Sequence, residues 1–350
     1  MMQERKRFSI CIPAYNRSRH LEPLLDSIFV QDYRDFDVVI CEDKSPEREQ
    51  IAAIVAGYAR RYPGAITYYE NAENLGYDGN IRNLVAKATG KFCFFMGNDD
   101  LMCPGALACA ADILNRYENV GLILKSYAWF DLTPDNVNQE IRYFKAERLI
   151  PAGREAISVC FRRSGVISGY IIDRDSAYAV ATDRFDGTLY YQLYLTAQVL
   201  ATKCAVFTPK VLVLCRNGEP PEFGNSAKEK GRFVPGGYTP QARLNMISGA
   251  LSIIKDLSQT TQLDLVNEVT QDYASYFYAY IKDQLKLPLM DFFRLYRNYG
   301  KMGFDRYPIF HLYCVMGYLL GERQFDRMTR VIRRLLGRSP HLGTLWCGSR

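Results

Sequence analysis

The run Phe94-Phe95-Met96-Gly97-Asn98-Asp99-Asp100 sets two adjacent carboxylates at the end of an apolar segment. Neighbouring carboxylates repel and are costly to hold together unless a cation or a shell of hydrogen-bond donors offsets them. A divalent metal bridging diphosphate oxygens would do so, and would neutralise charge on a departing phosphate group. Asp99 or Asp100 has a plainer use as cap of a helix beginning near Pro104, but a place at the end of a buried strand favours the chemical one. Asp43 follows Val38-Val39-Ile40-Cys41-Glu42 and is placed to accept hydrogen bonds from a base or ribose. An Asp before Lys44-Ser45-Pro46 also suits a simple turn.

These groups need a frame, and the first 125 residues supply one. Apolar runs at 8–13, 37–41, 65–69 and 91–96 read as strands, and 20–31, 49–62 and 80–88 as helices; Leu21, Leu24, Leu25, Ile28 and Phe29 fall on one helical face. This βαβαβ order predicts a mostly parallel sheet flanked by helices, with ligands at the carboxyl ends of the strands. Four polar segments meet on that rim: residues 13–16, 42–45, 71–80 and 97–100. Further strands are expected at 120–125, 166–172 and 205–214, and a helix at 188–200. Residues 219–239, rich in Gly and Pro, read as a lid or a linker. Residues 240–337 read as helical, with aromatic stripes Tyr273, Phe277, Tyr280 and Phe292, Tyr296, Tyr299.

Composition narrows the function classes. A chain of 350 residues with 48% hydrophobic and 23% charged content is an ordinary globular protein, long enough for a main domain and an appendage. Its ten cysteines form no CxxC pair and several lie in strand-like runs, which suits small core residues in a reducing compartment and excludes a zinc ribbon. His20, His311 and His341 are the three histidines, too few for a His-based metal or Ser-His-Asp site. The charged start lacks a signal peptide, so a cytoplasmic location is expected. From Arg294 to Arg350 eleven Lys or Arg face Asp305, Glu322 and Asp326. The tail therefore carries +8 and the rest −2 in a chain of +6, and nucleic-acid binding by the sheet is disfavoured.

The order Ile12-Pro13-Ala14-Tyr15-Asn16, then Val39-Ile40-Cys41-Glu42-Asp43-Lys44-Ser45, then Asn74-Leu75-Gly76 with Arg82-Asn83 and Ala88-Thr89-Gly90, then Phe95 to Asp100 resembles the donor half of family 2 glycosyltransferases. The Asn74-Leu75-Gly76-Tyr77-Asp78-Gly79-Asn80 stretch looks like the abequosyltransferase-like branch, which builds O-antigen and related surface glycans. The match is good over 7–125, loose over 125–215 and slight beyond. It implies a GT-A fold over 1–218, divided into a nucleotide-sugar half (1–125) and an acceptor half (126–218). The loop 219–239 and a basic helical region, 240–350, would follow.

By that resemblance Pro13, Ala14, Tyr15 and Asn16 line the nucleotide pocket, Asp43 binds the base, and Gly76 and Asn80 let the chain approach the nucleotide. Asn98 meets ribose or a phosphate-bound water. Asp99, with Asp100, holds Mg²⁺ or Mn²⁺. Gly97-Asn98 removes a carboxylate that many members have, so weaker metal affinity is expected. The reaction implied is inverting transfer of a sugar from a nucleotide-sugar to a saccharide or polyprenyl-linked acceptor. The Glu-Asp pair that often supplies its base is replaced by Tyr191-Gln192. Asp186 is the first choice for that base, with Asp173 and Asp175 as rivals and helix capping as its plainer role. The basic helix 321–336 is a candidate for docking on an anionic membrane at the inner face, and the aromatic stripes for self-association. Two alternatives stand beside this reading: a nucleotide-sugar-binding protein without turnover, and a sugar nucleotidyltransferase, which the glycine-free Pro13-Ala14-Tyr15-Asn16-Arg17 disfavours.

Overall fold

The computed structural model describes residues 5–335. Ten strands form one sheet: β1 (Phe8–Ala14), β2 (Phe36–Glu42), β3 (Ile66–Glu70), β4 (Phe92–Phe95), β5 (Leu101–Met102), β6 (Val120–Phe130), β7 (Val137–Ile141), β8 (Arg148–Ile150), β9 (Tyr170–Asp173) and β10 (Cys204–Arg216). The order is β3-β2-β1-β4-β9-β6-β10-β5, with β7 added to β6 and β8 to β10. The first four strands in this order are parallel, as expected. β9 then runs antiparallel between β4 and β6, and β10 returns to a parallel pairing with β6.

Strand residues alternate between two cores because successive side chains leave opposite faces. Ile10, Ile12, Val38, Ile40, Phe94 and Met96 face the helices Ser18–Phe29, Arg48–Arg61 and Ala106–Arg116. Cys11, Val39, Cys41, Cys93 and Phe95 face the other side, against Ile81, Leu84 and Val85 of the helix Gly76–Lys87. The buried cysteines serve as small packing residues, and no disulfide is formed among the described ones. The helix expected at 80–88 begins a turn earlier, at Gly76. Asp78 explains the early start: its buried carboxylate accepts the amides of Thr188 (2.9 Å), Leu189 (2.8 Å) and Tyr191 (2.8 Å), tying this turn to the head of the helix Tyr191–Leu200.

The C-terminal helices Pro240–Thr260, Val266–Ser275, Leu289–Lys301 and Pro308–Leu335 continue the second core. Thr239 caps the first by accepting the Ala242 amide (3.1 Å), with Pro240 at its first position. The aromatic stripes are interior: Tyr273, Phe277 and Tyr299 are fully buried and Phe277 packs edge-on to Tyr299 and Phe310. They are thus unavailable for self-association, contrary to the expectation above. Of the expected basic amphipathic helix, Phe325 is buried and Met328 packs on the core. Ile332, Leu335 and Leu336 fall outside the described side chains, and the tail 336–350 lies outside the described residues. No described helix is long and apolar enough to cross a membrane.

Candidate active-site cleft

The carboxyl ends of β1, β2 and β4 open into a cleft of about 400 Å³. β1 leaves the sheet through two left-handed residues, Asn16 (φ 52°) and Arg17 (φ 59°), a conformation uncommon for non-glycine residues. Held by tertiary contacts, it aims both side chains over the strand ends. The Asn16 amide donates to Glu222 Oε2 (3.1 Å), and Arg17 Nη1 pairs with Asp99 Oδ2 (2.5 Å) while Nη2 donates to the Pro220 carbonyl. Asn98 Nδ2 donates to the Asn16 carbonyl (2.8 Å), stitching the ends of β1 and β4 together. Pro13, Tyr15, Asn98, Asp99 and Asp100 all line the cleft; Ala14 is buried beneath it.

The two aspartates of the acidic run have different fates. Asp100 is buried, with Oδ1 accepting the Arg216 amide (2.7 Å) and Oδ2 the Ser168 hydroxyl. Burial, and then the Asp99 charge, push its carboxyl above the usual range. Asp99 faces Arg17 through Oδ2 and leaves Oδ1 without a hydrogen bond among the described residues. Asp100 therefore secures the floor, while Asp99 keeps the freer oxygen of the two residues expected to hold a metal.

At the end of β2, Asp43 lines the cleft but already accepts Asn71 Nδ2 (2.8 Å) and the amides of Leu75 (2.8 Å) and Gly76 (2.9 Å). Burial pushes its carboxyl up to about 6 despite those donors. Asn80 is likewise committed, donating to the Cys41 carbonyl (3.0 Å) and accepting from Asn71 (3.1 Å). Both residues build the wall, and Asp43 retains lone pairs for a further donor.

Residues 217–239 after β10 cross the cleft as a strap, a more definite role than the lid-or-linker alternative. Glu219 accepts from Arg19 (2.8 Å) and meets His20 Nε2 (3.0 Å) at one margin. At the other, buried Glu229 accepts the amides of Tyr77 (2.7 Å) and Gly224 (2.8 Å). Gly76, at φ 77°, permits this docking: a Cβ there would lie 2.7 Å from Glu229 Oε1 and closer still to Ser226 Oγ. Gly76 also lines the cleft where the approach to a nucleotide is expected, so it serves the strap contact as well. Gly165, Val166, Ile167 and Trp129 form the remaining wall. It is held by Gln192 Nε2 on the Gly165 carbonyl (2.9 Å) and by buried Lys125 on the Val166 carbonyl (2.5 Å). Burial draws the Lys125 ammonium down to about 8.

Asp186 does not line the cleft. Its carboxylate pairs with Arg82 on the helix Gly76–Lys87, next to Tyr191. Asp173 caps a helix through the Ser176 amide (2.9 Å) and Asp175 pairs with Arg5 (2.8 Å), so neither rival reaches the cleft.

Among the described residues six carboxylates line the cleft (Asp43, Asp99, Asp100, Glu219, Glu222, Glu229) against Arg17 and Arg216. A diphosphate would be repelled by that balance unless a cation entered with it. No three His, Cys, Asp or Glu groups converge to cage an ion among the described residues. Mg²⁺, however, is commonly bound by one or two carboxylates together with substrate phosphates. Asp99, with Oδ1 free, fits that arrangement.

Residues 9–170 match the family model "Glycosyl transferase family 2". The abequosyltransferase RfbV of Salmonella typhimurium is 27% identical over 237 residues, 63% of this chain and 70% of that one. The amylovoran biosynthesis glycosyltransferase AmsB of Erwinia amylovora is 29% identical over 202 residues, 56% and 65% of the two chains. Several longer relatives are matched over only 25% of their length. Among solved structures, residues 1–349 of Staphylococcus aureus TarS in complex with UDP-GlcNAc superpose with a TM-score of 0.61 at 17% identity, covering 92% of each chain. At that identity the likeness speaks to the fold.

Proposed function

We propose, from the match of residues 9–170 to the family 2 glycosyltransferase model and from the GT-A architecture, that the chain transfers a sugar, with inversion, from a nucleotide-sugar to a hydroxyl of a saccharide or polyprenyl-linked acceptor during bacterial surface-polysaccharide assembly. The observation that carries this reading is the strapped cleft at the ends of β1, β2 and β4, with Asp99 on its floor. Pro13, Tyr15 and Asp43 would surround the base and ribose, and Arg17 and Arg216 would meet the diphosphate. Asp99 and the donor's own phosphates would hold a divalent ion, whose chemistry when bound is to neutralise the leaving diphosphate. The strap keeps bulk water from the anomeric carbon, which limits hydrolysis of the donor.

A polyprenyl-linked acceptor would bring the enzyme to a membrane surface, and exposed apolar side chains on two C-terminal helices support such docking. Leu289, Met290 and Phe293 on one helix and Leu312, Val315 and Leu319 on the next are exposed, with Lys286, Arg294 and Arg297 nearby. Apolar side chains bordered by cations suit an anionic lipid surface on the cytoplasmic side.

The test is binding followed by turnover. UDP-, GDP-, CDP- and dTDP-sugars are screened by thermal shift with Mg²⁺ or Mn²⁺ present. A true donor at about 100 times its Kd stabilises by about 2.7 kcal/mol. Absence of any stabilising nucleotide would sink the reading. Binding without transfer or donor hydrolysis would favour the non-catalytic alternative, which the lack of a carboxylate at Tyr191-Gln192 supports.

A further inference from the structure

Transfer needs a base for the acceptor hydroxyl proton, and the residues expected to supply one are unsuited or remote. Gln192 cannot take a proton. The Tyr191 hydroxyl accepts the Thr182 amide (3.4 Å), and burial pushes its ionisation further above neutrality. Asp186 is paired with Arg82 outside the cleft. The cleft's own carboxylates can be taken in turn. Asp43 and Glu229 are spent on backbone amides, Asp100 on Ser168 and Arg216, Asp99 on Arg17, and Glu219 on Arg19 and His20. Glu222 differs from all of these. Among the described residues it has no ion pair, Oε2 accepts one neutral donor, Asn16 Nδ2 (3.1 Å), and Oε1 has no hydrogen bond.

Its position also suits the task. Two residues before it, the Pro220 carbonyl takes Nη2 of the same Arg17 whose Nη1 holds Asp99. Glu222 therefore lines the cleft from the strap, two residues from the strap's contact with the Arg17–Asp99 pair, and the Asn16 amide fixes it there.

Resting on the transferase reading, we propose that Glu222 is the catalytic base. The acceptor hydroxyl passes its proton to Glu222 Oε1 as its oxygen bonds to the anomeric carbon. The bond from that carbon to the diphosphate oxygen breaks, and the nucleoside diphosphate leaves with the electron pair. The strap thus both covers the cleft and supplies a member of the catalytic set.

The test compares wild type, Glu222→Gln, Glu222→Asp and Asp186→Asn, using the nucleotide-sugar found in the binding screen. Titration calorimetry with the matching nucleoside diphosphate is run on each protein. Glu222→Gln should lower kcat by about 10²–10⁴-fold and remove the acid limb of the pH–rate profile, while binding the diphosphate within about threefold of wild type. Glu222→Asp should keep part of the rate with that limb intact, and Asp186→Asn should keep the rate. Turnover by Glu222→Gln within about tenfold of wild type would overturn the assignment. So would a rate loss matched by lost diphosphate binding with the pH profile unchanged, which would make Glu222 a strap anchor only. A wild-type protein that binds none of the four diphosphates would overturn the transferase reading itself, and the base with it.

Discussion

Replacing Gly76 with alanine puts a methyl group into the joint between the strap and the nucleotide wall. At φ 77° alanine loses about 1–2 kcal/mol relative to glycine. The new Cβ would lie 3.0 Å from Ser226 Cβ and 2.7 Å from Glu229 Oε1, and still nearer Ser226 Oγ, so that part of the strap must retreat. Glu229 would then give up its hold on the Tyr77 amide (2.7 Å), a bond to a charged acceptor worth about 1.5–3 kcal/mol. The expected loss is about 2.5–5 kcal/mol, or a Tm lower by roughly 3–7 °C in a chain of this size. With the strap displaced, donor KM should rise by about tenfold. Both are measurable by thermal melts and steady-state kinetics at varied nucleotide-sugar. Ser226 Oγ is buried without a hydrogen-bond partner among the described residues, so Ser226→Gly removes two of the three obstructing atoms at small cost. The double variant should recover about half of the loss, leaving the backbone term. Wild-type Tm and KM in Gly76→Ala, or a double variant no better than the single one, would refute the reasoning.

Three further outcomes follow from the packing. Burial holds the Asp78 carboxyl at about 7 in the folded chain, above its ordinary value, so the folded state keeps a proton that the unfolded state sheds. Its contribution is full below about pH 4 and is lost as pH rises through 7; melts across that window should show the slope in wild type and not in Asp78→Asn. Asp186→Ala strips Arg82, partly exposed, of its partner. It should leave transfer within about threefold and lower stability by about 1–3 kcal/mol in urea titrations. Thr239→Ala removes the acceptor of the Ala242 amide, and a cost of about 1 kcal/mol should appear in the same titrations.

The strands that carry the site were legible because each is an apolar run ended by polar residues: β1 stops at Pro13-Ala14, β2 at Glu42-Asp43, and β4 at Gly97. Periodicity carries no direction, however, so the antiparallel insertion of β9 could not be read from the run at 166–172. The first turn of the helix Gly76–Lys87 has no apolar face to announce it, being fixed instead by carboxylates at Asp43 and Asp78 that reach distant amides. Asp186 lies close in sequence to the expected base position at Tyr191-Gln192. Its partner Arg82 is 104 residues away, and only the fold reveals that pairing. Glu222 was hidden in the same way, 206 residues from the Asn16 amide that sets it. The available signal was two glutamates beside prolines in the 219–239 segment, which marks a loop without saying what it covers.

The antiparallel β9 also governs how the molecule can be made. A growing chain that has reached residue 165 holds β4 and β6 as two open edges with a vacant slot between them, a template for mispairing with any extended neighbour. Filling the slot brings Gly169 onto the Phe95 carbonyl (2.8 Å) and, one residue earlier, delivers the Ser168 hydroxyl to the Gly97 amide (2.8 Å) and to Asp100. Sheet closure and the Ser168 clasp of the acidic floor are therefore geometrically coupled, and Arg216 of β10 completes the floor. A chimaera with a junction before Ser168 would inherit its aspartates from one parent and their clasp from another.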